Sequence, residues 1–447
     1  MAALMFKTYL RHFYLLLYMF FVNFFFEDSF SQEYNSKVRI DTIIITGTKV
    51  TKNEVIFNEI DFKIGDSITI DKLSFYRERI YSLEIFNRVD LNLNKNELKN
   101  ELNINVEESW YYLFLPYAIL RKNSLSKSSF GLYLNKKNFR GLNEKLKFVF
   151  ALGYDPYYQF QYYSPNFFAN DYFAYFELNY SIKENKSEEI TALLENKNFS
   201  YKNLSFAFFG GKRFGTFVKA SLGFSYEMMT VPNFAREIFF IENNKKENLY
   251  TIATIIAYDD RDLSFMPETG KLLEAKIEAK KINFGDKNYI LYSLDFRNYN
   301  KIIRQISSKQ RVYYKSTIGK IKPYYSKSYL GYDQKVRGHY FENKEGDDLG
   351  LLSIEVKYPL IKEMNIKFNL PLAPESLTSY RTALYFYLFS DAGFSKKSNQ
   401  KFVLKNFDSG YGAGLAILIM PYQALRCEFA FNEKRRGEII VELGFSF

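Results

Sequence analysis

The sequence predicts a mainly β protein: an antiparallel transmembrane β-barrel of about 16 strands preceded by one small α+β domain of order β-α-α-β-β. Three observations carry that expectation. From Trp110 onward, apolar and polar residues alternate one by one through segment after segment. Aromatic residues make up 19% of the chain, as 46 Phe, 38 Tyr and a single Trp. The final residues, Glu438 to Phe447, form an amphipathic strand with Ile439, Val441, Leu443, Phe445 and Phe447 on one face and Glu438, Ile440, Glu442, Gly444 and Ser446 on the other.

The 447 residues are 47% hydrophobic and 25% charged, and no stretch reaches the roughly 20 apolar residues a spanning helix needs. So many aromatic rings exceed the needs of a globular core, and aromatic girdles at the two membrane interfaces use them. The amino terminus reads as a secretory signal over residues 1–31. Lys7 and Arg11 precede an apolar run from Phe13 to Phe26, and Ser29 and Ser31 suit the cleavage site before Gln32. An uncleaved anchor is the competing reading, but the run is about 14 residues, too short to span, and Asn23 interrupts it.

The net charge of +11 is unchanged by loss of the signal, because Glu27 and Asp28 offset Lys7 and Arg11. The basic residues are scattered through turns such as Arg121 to Lys127 and Asn432 to Arg436, which is the pattern of solvated loops rather than of nucleic-acid binding. A basic surface also suits anionic head groups of outer-membrane lipid. Cys427 is the only cysteine, so the chain has no internal disulfide and no thiolate metal site. It falls on an apolar strand face with Leu425, Phe429 and Phe431.

Residues 32–108 form the small domain. Val38 to Thr46 is β-branched and extended, and Gly47 ends it. Thr51 followed by Glu54 reads as a capping box opening a short helix to Ile60. From Asp71 to Leu83, the residues Leu73, Tyr76, Ile80 and Leu83 make one helical stripe. Val89, Leu91 and Leu93, then Leu102, Ile104 and Val106, alternate around a polar turn as a hairpin with one buried face. The strand of Val89, Leu91 and Leu93 is expected to offer an edge where an extended polypeptide adds.

Residues 109–447 form the barrel. Phe148, Phe150, Leu152 and Tyr154 alternate with Lys147, Val149, Ala151 and Gly153, and Leu273, Ala275, Ile277 and Ala279 with Glu274, Lys276, Glu278 and Lys280. A soluble sandwich gives the same alternation, so the charged faces decide. A wide barrel turns them into a polar lumen, whereas Lys or Arg facing lipid near the midplane costs about 2–4 kcal/mol each.

Three segments interrupt the alternation: D-D-R-D-L-S-F-M-P-E-T-G at Asp259 to Gly270, V-R-G-H at Val336 to His339, and F-S-D-A-G at Phe389 to Gly393. In this order, with E-L-G-F-S-F at the carboxy terminus, they closely resemble the BamA/TamA superfamily of outer-membrane assembly and translocation proteins. I-x-I-T-G near the start and Y-S-L-E-I-F-N-R-V-D at 81–90 resemble a POTRA domain. The resemblance implies a 16-stranded barrel whose sixth extracellular loop folds into the lumen. There Arg337, with Gly338 beside it, is pinned by Asp391, with Glu355 as a second candidate. Strand parity independently turns both carboxylates inward, and Gly410, Gly412 and Gly414 on one face admit a second backbone. The barrel seam is expected where the segment near Trp110 meets the strand carrying Gly444, Phe445 and Phe447. The departures are a single POTRA-like domain, His339 in place of an aromatic, and a lengthened turn from Leu360 to Arg381.

Ordinary catalysis is not expected. Of two histidines, His12 leaves with the signal and His339 belongs to the loop motif; nucleotide-binding motifs and Cys/His clusters are absent, so no cofactor or metal is expected. The resemblance implies a bacterial outer-membrane protein with its POTRA domain in the periplasm. Its expected work is folding and inserting unfolded β-barrel polypeptides, with accessory assembly proteins as further partners. A secretion pore of the same superfamily is the alternative, and a barrel with structural or adhesive work a third.

Overall fold

The computed structural model describes residues 37–444 apart from 96–98, 121–127, 169–170, 304, 369–374, 404–405 and 421–422. The expected signal peptide, and Phe445 and Phe447, lie outside the described residues.

The small domain comprises β1 (Lys37–Arg39), β2 (Thr42–Thr46), α1 (Asn53–Phe57), β3 (Ser67–Thr69), α2 (Ile70–Tyr81), β4 (Phe86–Lys95) and β5 (Asn100–Glu108). The α2 stripe of Leu73, Tyr76 and Ile80 is buried in one cluster with Leu102, Ile104 and Val106. Across the hairpin, Val89 faces Val106, Leu91 faces Ile104 and Leu93 faces Leu102. The extended run from Val38 to Thr46 is split in two. Strand β1 pairs with β3, while β2 lies parallel to β5 in the sheet β2-β5-β4. The break falls at Ile40, whose N–H donates to the Asp66 carbonyl, and Asp41, whose carboxylate accepts from the Asn100 N–H.

Thr51 and Glu54 form no capping box, because the residue capping α1 is Lys52 and it makes no side-chain cap bond. The Thr51 hydroxyl is engaged elsewhere. It donates to the Glu108 carboxylate at 2.6 Å and accepts from Asn138 Nδ2 at 2.8 Å. A bond to an ionised carboxylate outweighs a neutral cap bond, and Asn138 belongs to the next domain.

That domain is one antiparallel sheet of 16 strands. They are β6 (Tyr112–Leu120), β7 (Ser128–Phe139), β8 (Glu144–Gly153), β9 (Tyr157–Ser164), β10 (Tyr172–Glu184), β11 (Ser200–Phe214), β12 (Val218–Thr230), β13 (Glu247–Asp259), β14 (Gly270–Ile282), β15 (Asn288–Ile303), β16 (Ile306–Ile318), and, after the short pair β17 (Ser328–Leu330) and β18 (Lys344–Gly346), β19 (Asp348–Lys367), β20 (Ser379–Lys396), β21 (Asp408–Met420), β22 (Gln423–Asn432) and β23 (Gly437–Leu443). Each strand pairs with its sequence neighbour, except that the long connection carrying β17 and β18 separates β16 from β19. Strands β6 and β23 end the order.

The faces sort by polarity as a transmembrane barrel requires. Leu222 (62% exposed), Ile252 (61%) and Val441 (64%) look outward, whereas Ala253, Ala151 and Ile440 on the opposite parity are buried. Packed sandwich sheets would have buried the outward set. Inside, Lys276 pairs with Glu278 at 3.2 Å and Lys280 with Glu227 at 3.6 Å. Outside, Phe148, Phe160, Phe176 and Phe206 form a band across β8 to β11 with successive ring centroids 4.7, 5.7 and 5.3 Å apart.

The small domain is docked under one end of the barrel. Arg79 donates to the Asp259 carbonyl at 3.1 Å, and the Ser264 N–H donates to Ser82 Oγ at 2.9 Å. In the lengthened turn from Leu360 to Arg381, the described residues continue β19 to Lys367 and take up β20 from Ser379, with irregularities between Pro359 and Met364. The turn grips the small domain. Arg381 Nη1 reaches Glu78 at 2.6 Å, and the carbonyl of Ser376 in α5 (Glu375–Thr378, following α3, Glu188–Leu193, and α4, Arg236–Phe239) accepts from the Asn87 side chain and the Trp110 N–H.

Candidate functional site in the barrel lumen

The connection from β17 to β18 folds back into the barrel. Val336 anchors it in a small apolar cluster with Leu330, Leu349 and Leu351. Arg337 follows, buried at 5% exposure. Its Nε and Nη2 donate to the two oxygens of Asp391 at 2.6 and 2.7 Å, and its backbone N–H donates to the same carboxylate at 3.1 Å. Nη1 reaches Glu355 at 2.6 Å and Glu428 at 3.2 Å. The guanidinium lies 3.8 Å from the centroid of the Phe389 ring. Every polar edge of the fork has a partner.

These partners sit on three strands because the two-residue period of each turns one carboxylate inward: Glu355 on β19, Asp391 on β20, Glu428 on β22. Other cations balance them. Lys309 Nζ lies 3.1 Å from Glu355, and Arg426 Nη1 lies 2.8 Å from Glu428. Three cations thus face three carboxylates in a buried site. An Arg and carboxylate pair at 4 Å attracts by roughly 4 kcal/mol at an effective dielectric near 20, before desolvation is subtracted. The matched charges and bidentate geometry are what make the burial tolerable.

Glycine lets the loop approach. A Cβ at Gly410 would overlap the Arg337 carbonyl oxygen, and Gly338 adopts φ +98°, a left-handed conformation that glycine alone takes without cost. Gly412 and Gly414 continue the stripe beneath the Phe389 and Tyr387 rings. The Gly338 N–H donates to Glu438 at 2.6 Å, the Tyr340 N–H to the same oxygen at 3.1 Å, and the Tyr340 hydroxyl to Glu442 at 2.7 Å. The loop therefore joins β19 and β20 to β23. A cavity of about 250 Å³ remains beside it, lined by Tyr340, Arg426 and Glu442 among others.

His339 completes the motif. Its Nε2 lies 2.6 Å from Glu433 and its Nδ1 2.9 Å from Glu342. Burial works against its charge, but Glu433 and Glu342, with Asp408 beyond, outweigh that and raise its pKa to about 9.

A second plug enters from the other end. Leu263, Phe265 and Met266, in the turn between β13 and β14, are buried against Tyr81 of the small domain and Tyr385 and Tyr387 of the wall. The Pro267 carbonyl accepts from Lys357 Nζ at 3.2 Å, deep in the lumen. Asp262 holds the turn by accepting from the Leu263 and Glu268 N–H groups at 2.8 and 3.0 Å.

Of the residues singled out in the sequence, Arg337, Gly338, Asp391 and Glu355 come together. Val89, Leu91 and Leu93 face the core of their domain, with β4 at one edge of its sheet. Trp110 stands ahead of β6, bonded to Ser376 and 6.0 Å from the Tyr112 ring, and Gly444 follows β23, its N–H donating to the Ala424 carbonyl at 2.8 Å. Sequence reasoning put Glu438 and Glu442 on the polar face of the last strand but did not bring them, or Glu428, Arg426 and Lys309, to the loop. Their signal was available, since each is a charge on the inward parity of a strand.

A small α+β domain, a barrel of 16 strands and a loop tied inside it by a buried arginine define a class of outer-membrane barrel proteins. Residues 138–447 match the family model described as the Omp85 superfamily domain, and residues 38–109 match the POTRA model described as surface antigen variable number repeat. The chain belongs to the Omp85 superfamily. A structure of BamA from Haemophilus ducreyi lacking POTRA domains 1-3 is similar at 15% identity and a TM-score of 0.52, over 92% of this chain and 84% of that one. CdiB from Acinetobacter baumannii (13% identity, TM-score 0.47, 91% and 73% covered) and CdiB from Escherichia coli (9%, 0.49, 93% and 91%) are further neighbours. No curated protein sequence matches the chain.

Replacing Arg337 by Met leaves three carboxylates facing two cations and is expected to cost about 3–5 kcal/mol. The temperature at which the folded barrel converts to the slow-migrating unfolded form on denaturing gels measures it. Exchanging charges with Arg337→Asp and Asp391→Arg together is expected to recover only part of the loss, because Glu355 and Glu428 still face position 337. Full recovery would reduce the site to a simple pair. His339 is charged in the docked loop to about pH 9, whereas a released loop loses the proton near pH 6.5. Its contribution to docking is therefore complete below pH 6.5 and fades as pH rises through 9. Protease cleavage within residues 332–343 should rise over that range in the native protein and stay flat in His339→Gln.

Proposed function

We propose that the protein is an assembly factor of the bacterial outer membrane, with its POTRA domain in the periplasm, that helps fold and insert β-barrel polypeptides. The observation that carries this reading is the tie between the loop in the lumen and β23, a strand at the end of the sheet's order. The outward residues of β23, Ile439, Val441 and Leu443, are 70%, 64% and 66% exposed. A strand that ends the order keeps main-chain groups on one side for an added strand. A new hairpin enters the membrane beside that edge, where local thinning of the bilayer lowers the barrier.

Strand β4 supplies an edge on the periplasmic side where an incoming extended segment adds through main-chain bonds, whatever its sequence. The segment then passes to the terminal strands. Loop six sets how freely β23 moves there, because Glu438 and Glu442 tie β23 to the loop. The work uses no nucleotide, cofactor or catalytic side chain. Unfolded barrel polypeptides and outer-membrane lipid are the partners, and accessory assembly proteins would dock on the remaining POTRA surface.

A translocation pore is the second reading, favoured by the charged inner wall of Glu227, Lys276, Glu278 and Lys280. Reconstitution separates the two. With the protein in liposomes, a urea-unfolded β-barrel protein added outside should fold several-fold faster than in empty liposomes, with little ion conductance. Large conductance without faster folding would favour the pore and sink the assembly reading.

A further inference from the structure

An apolar groove of about 770 Å³ lies where the POTRA domain meets the barrel, lined by Ile43, Phe57 and Ile64 on one side and Phe214, Val218 and Tyr258 on the other. The barrel side is the lower end of the lipid-facing wall. Val218 shares its face with Leu222 and Phe224, and Tyr258 shares its face with Ile252 and Ile256, all exposed to the membrane. The groove thus continues the lipid-facing surface downward, with Asp61, Lys63 and Thr216 as the polar members of a mainly apolar lining.

The POTRA side is exposed in a way a water-facing surface rarely is. Ile64 is 63% exposed and Phe57 43%, and Phe214 across the groove is 54% exposed. A contiguous apolar patch of this kind marks an interaction site. It is also held in place. Phe217 packs on Phe75 with ring centroids 6.2 Å apart, Arg79 lies over the Phe217 ring, and Arg213 pairs with Glu59 at 3.9 Å. Two lysines flank the opening. Lys63 lines the groove beside Ile64, and Lys212 Nζ lies 5.5 Å from the Phe214 ring centroid and 5.2 Å from that of Tyr172, and a lysine on a lipid-facing edge extends its ammonium toward head-group phosphate.

We infer that this groove is a phospholipid site: it takes an acyl chain of the periplasmic leaflet, with Phe57 and Ile64 immersed beside it and Lys63 and Lys212 at the head group. Continuity with the lipid-facing wall selects lipid over polypeptide as the occupant. The POTRA domain is then seated in the membrane as well as on the barrel, and the reading is independent of whether the protein inserts or secretes its substrates.

The full chain in nanodiscs of phosphatidylethanolamine and phosphatidylglycerol tests this. In a Cys427→Ala background, nitroxide labels at Ile64→Cys, at the lipid-facing Leu222→Cys and at the POTRA position Arg88→Cys report collision with oxygen, which dissolves in lipid, and with a water-soluble nickel chelate. The label at position 64 is expected to follow the one at 222; following the one at 88 would overturn the inference. Phosphatidylglycerol with a photoreactive diazirine in its acyl chain should form adducts within residues 57–64 and 214–218, lost in Thr216→Trp, which fills the groove. Adducts absent there, or displaced by an added unfolded barrel polypeptide that cross-links in their place, would make the groove something other than a lipid site.

Discussion

A guanidinium carried to the middle of a barrel cannot be left short of partners, and that requirement organises much of the molecule. Arg337 takes Asp391 on two edges and Glu355 and Glu428 on the remaining one, and Lys309 and Arg426 restore neutrality. Remove the loop, and three inward carboxylates and two cations face each other across water. The loop is therefore part of the wall's electrostatics, and the wall part of the loop's fold. The glycine at position 410 follows from the same constraint, since the Arg337 carbonyl occupies the space of its missing side chain.

The loop also unites distant parts of the wall. Its arginine holds β19 and β20, the longest strands among the described residues, while Gly338 and Tyr340 hold β23 at the end of the strand order. From the opposite end, the turn carrying Phe265 and Met266 fills the lumen and meets the POTRA domain. The extended β19–β20 hairpin reaches the same domain through Arg381 and Ser376. One pair of tall strands thus touches the loop above and the POTRA domain below, which gives a continuous path of packed groups from one face of the membrane to the other.

Much of this was legible in the residues. A period of two is a strong signal when one face meets lipid and the other water, so the outward set of β23 and the inward set of β14 could be assigned by parity alone. The Arg337 and Asp391 encounter came from motif resemblance supported by the same parity. What escaped was whatever depends on partners far apart in sequence. Glu428 and Arg426 are inward by parity, but nothing local says that a loop some ninety residues earlier arrives beside them. Thr51 has the spacing of a capping residue, yet Glu108 and Asn138 outbid its local role. The split of β1 from β2 was hidden for the same reason, since both halves are extended and only their partners differ.

Hydrogen–deuterium exchange on the native protein and on Arg337→Met, both in lipid, tests the claim that the buried arginine couples the loop to the terminal strand. Protection should fall together at residues 334–340 and 437–443 while β12 to β14 keep theirs. Loss confined to the loop, with β23 as protected as before, would contradict it.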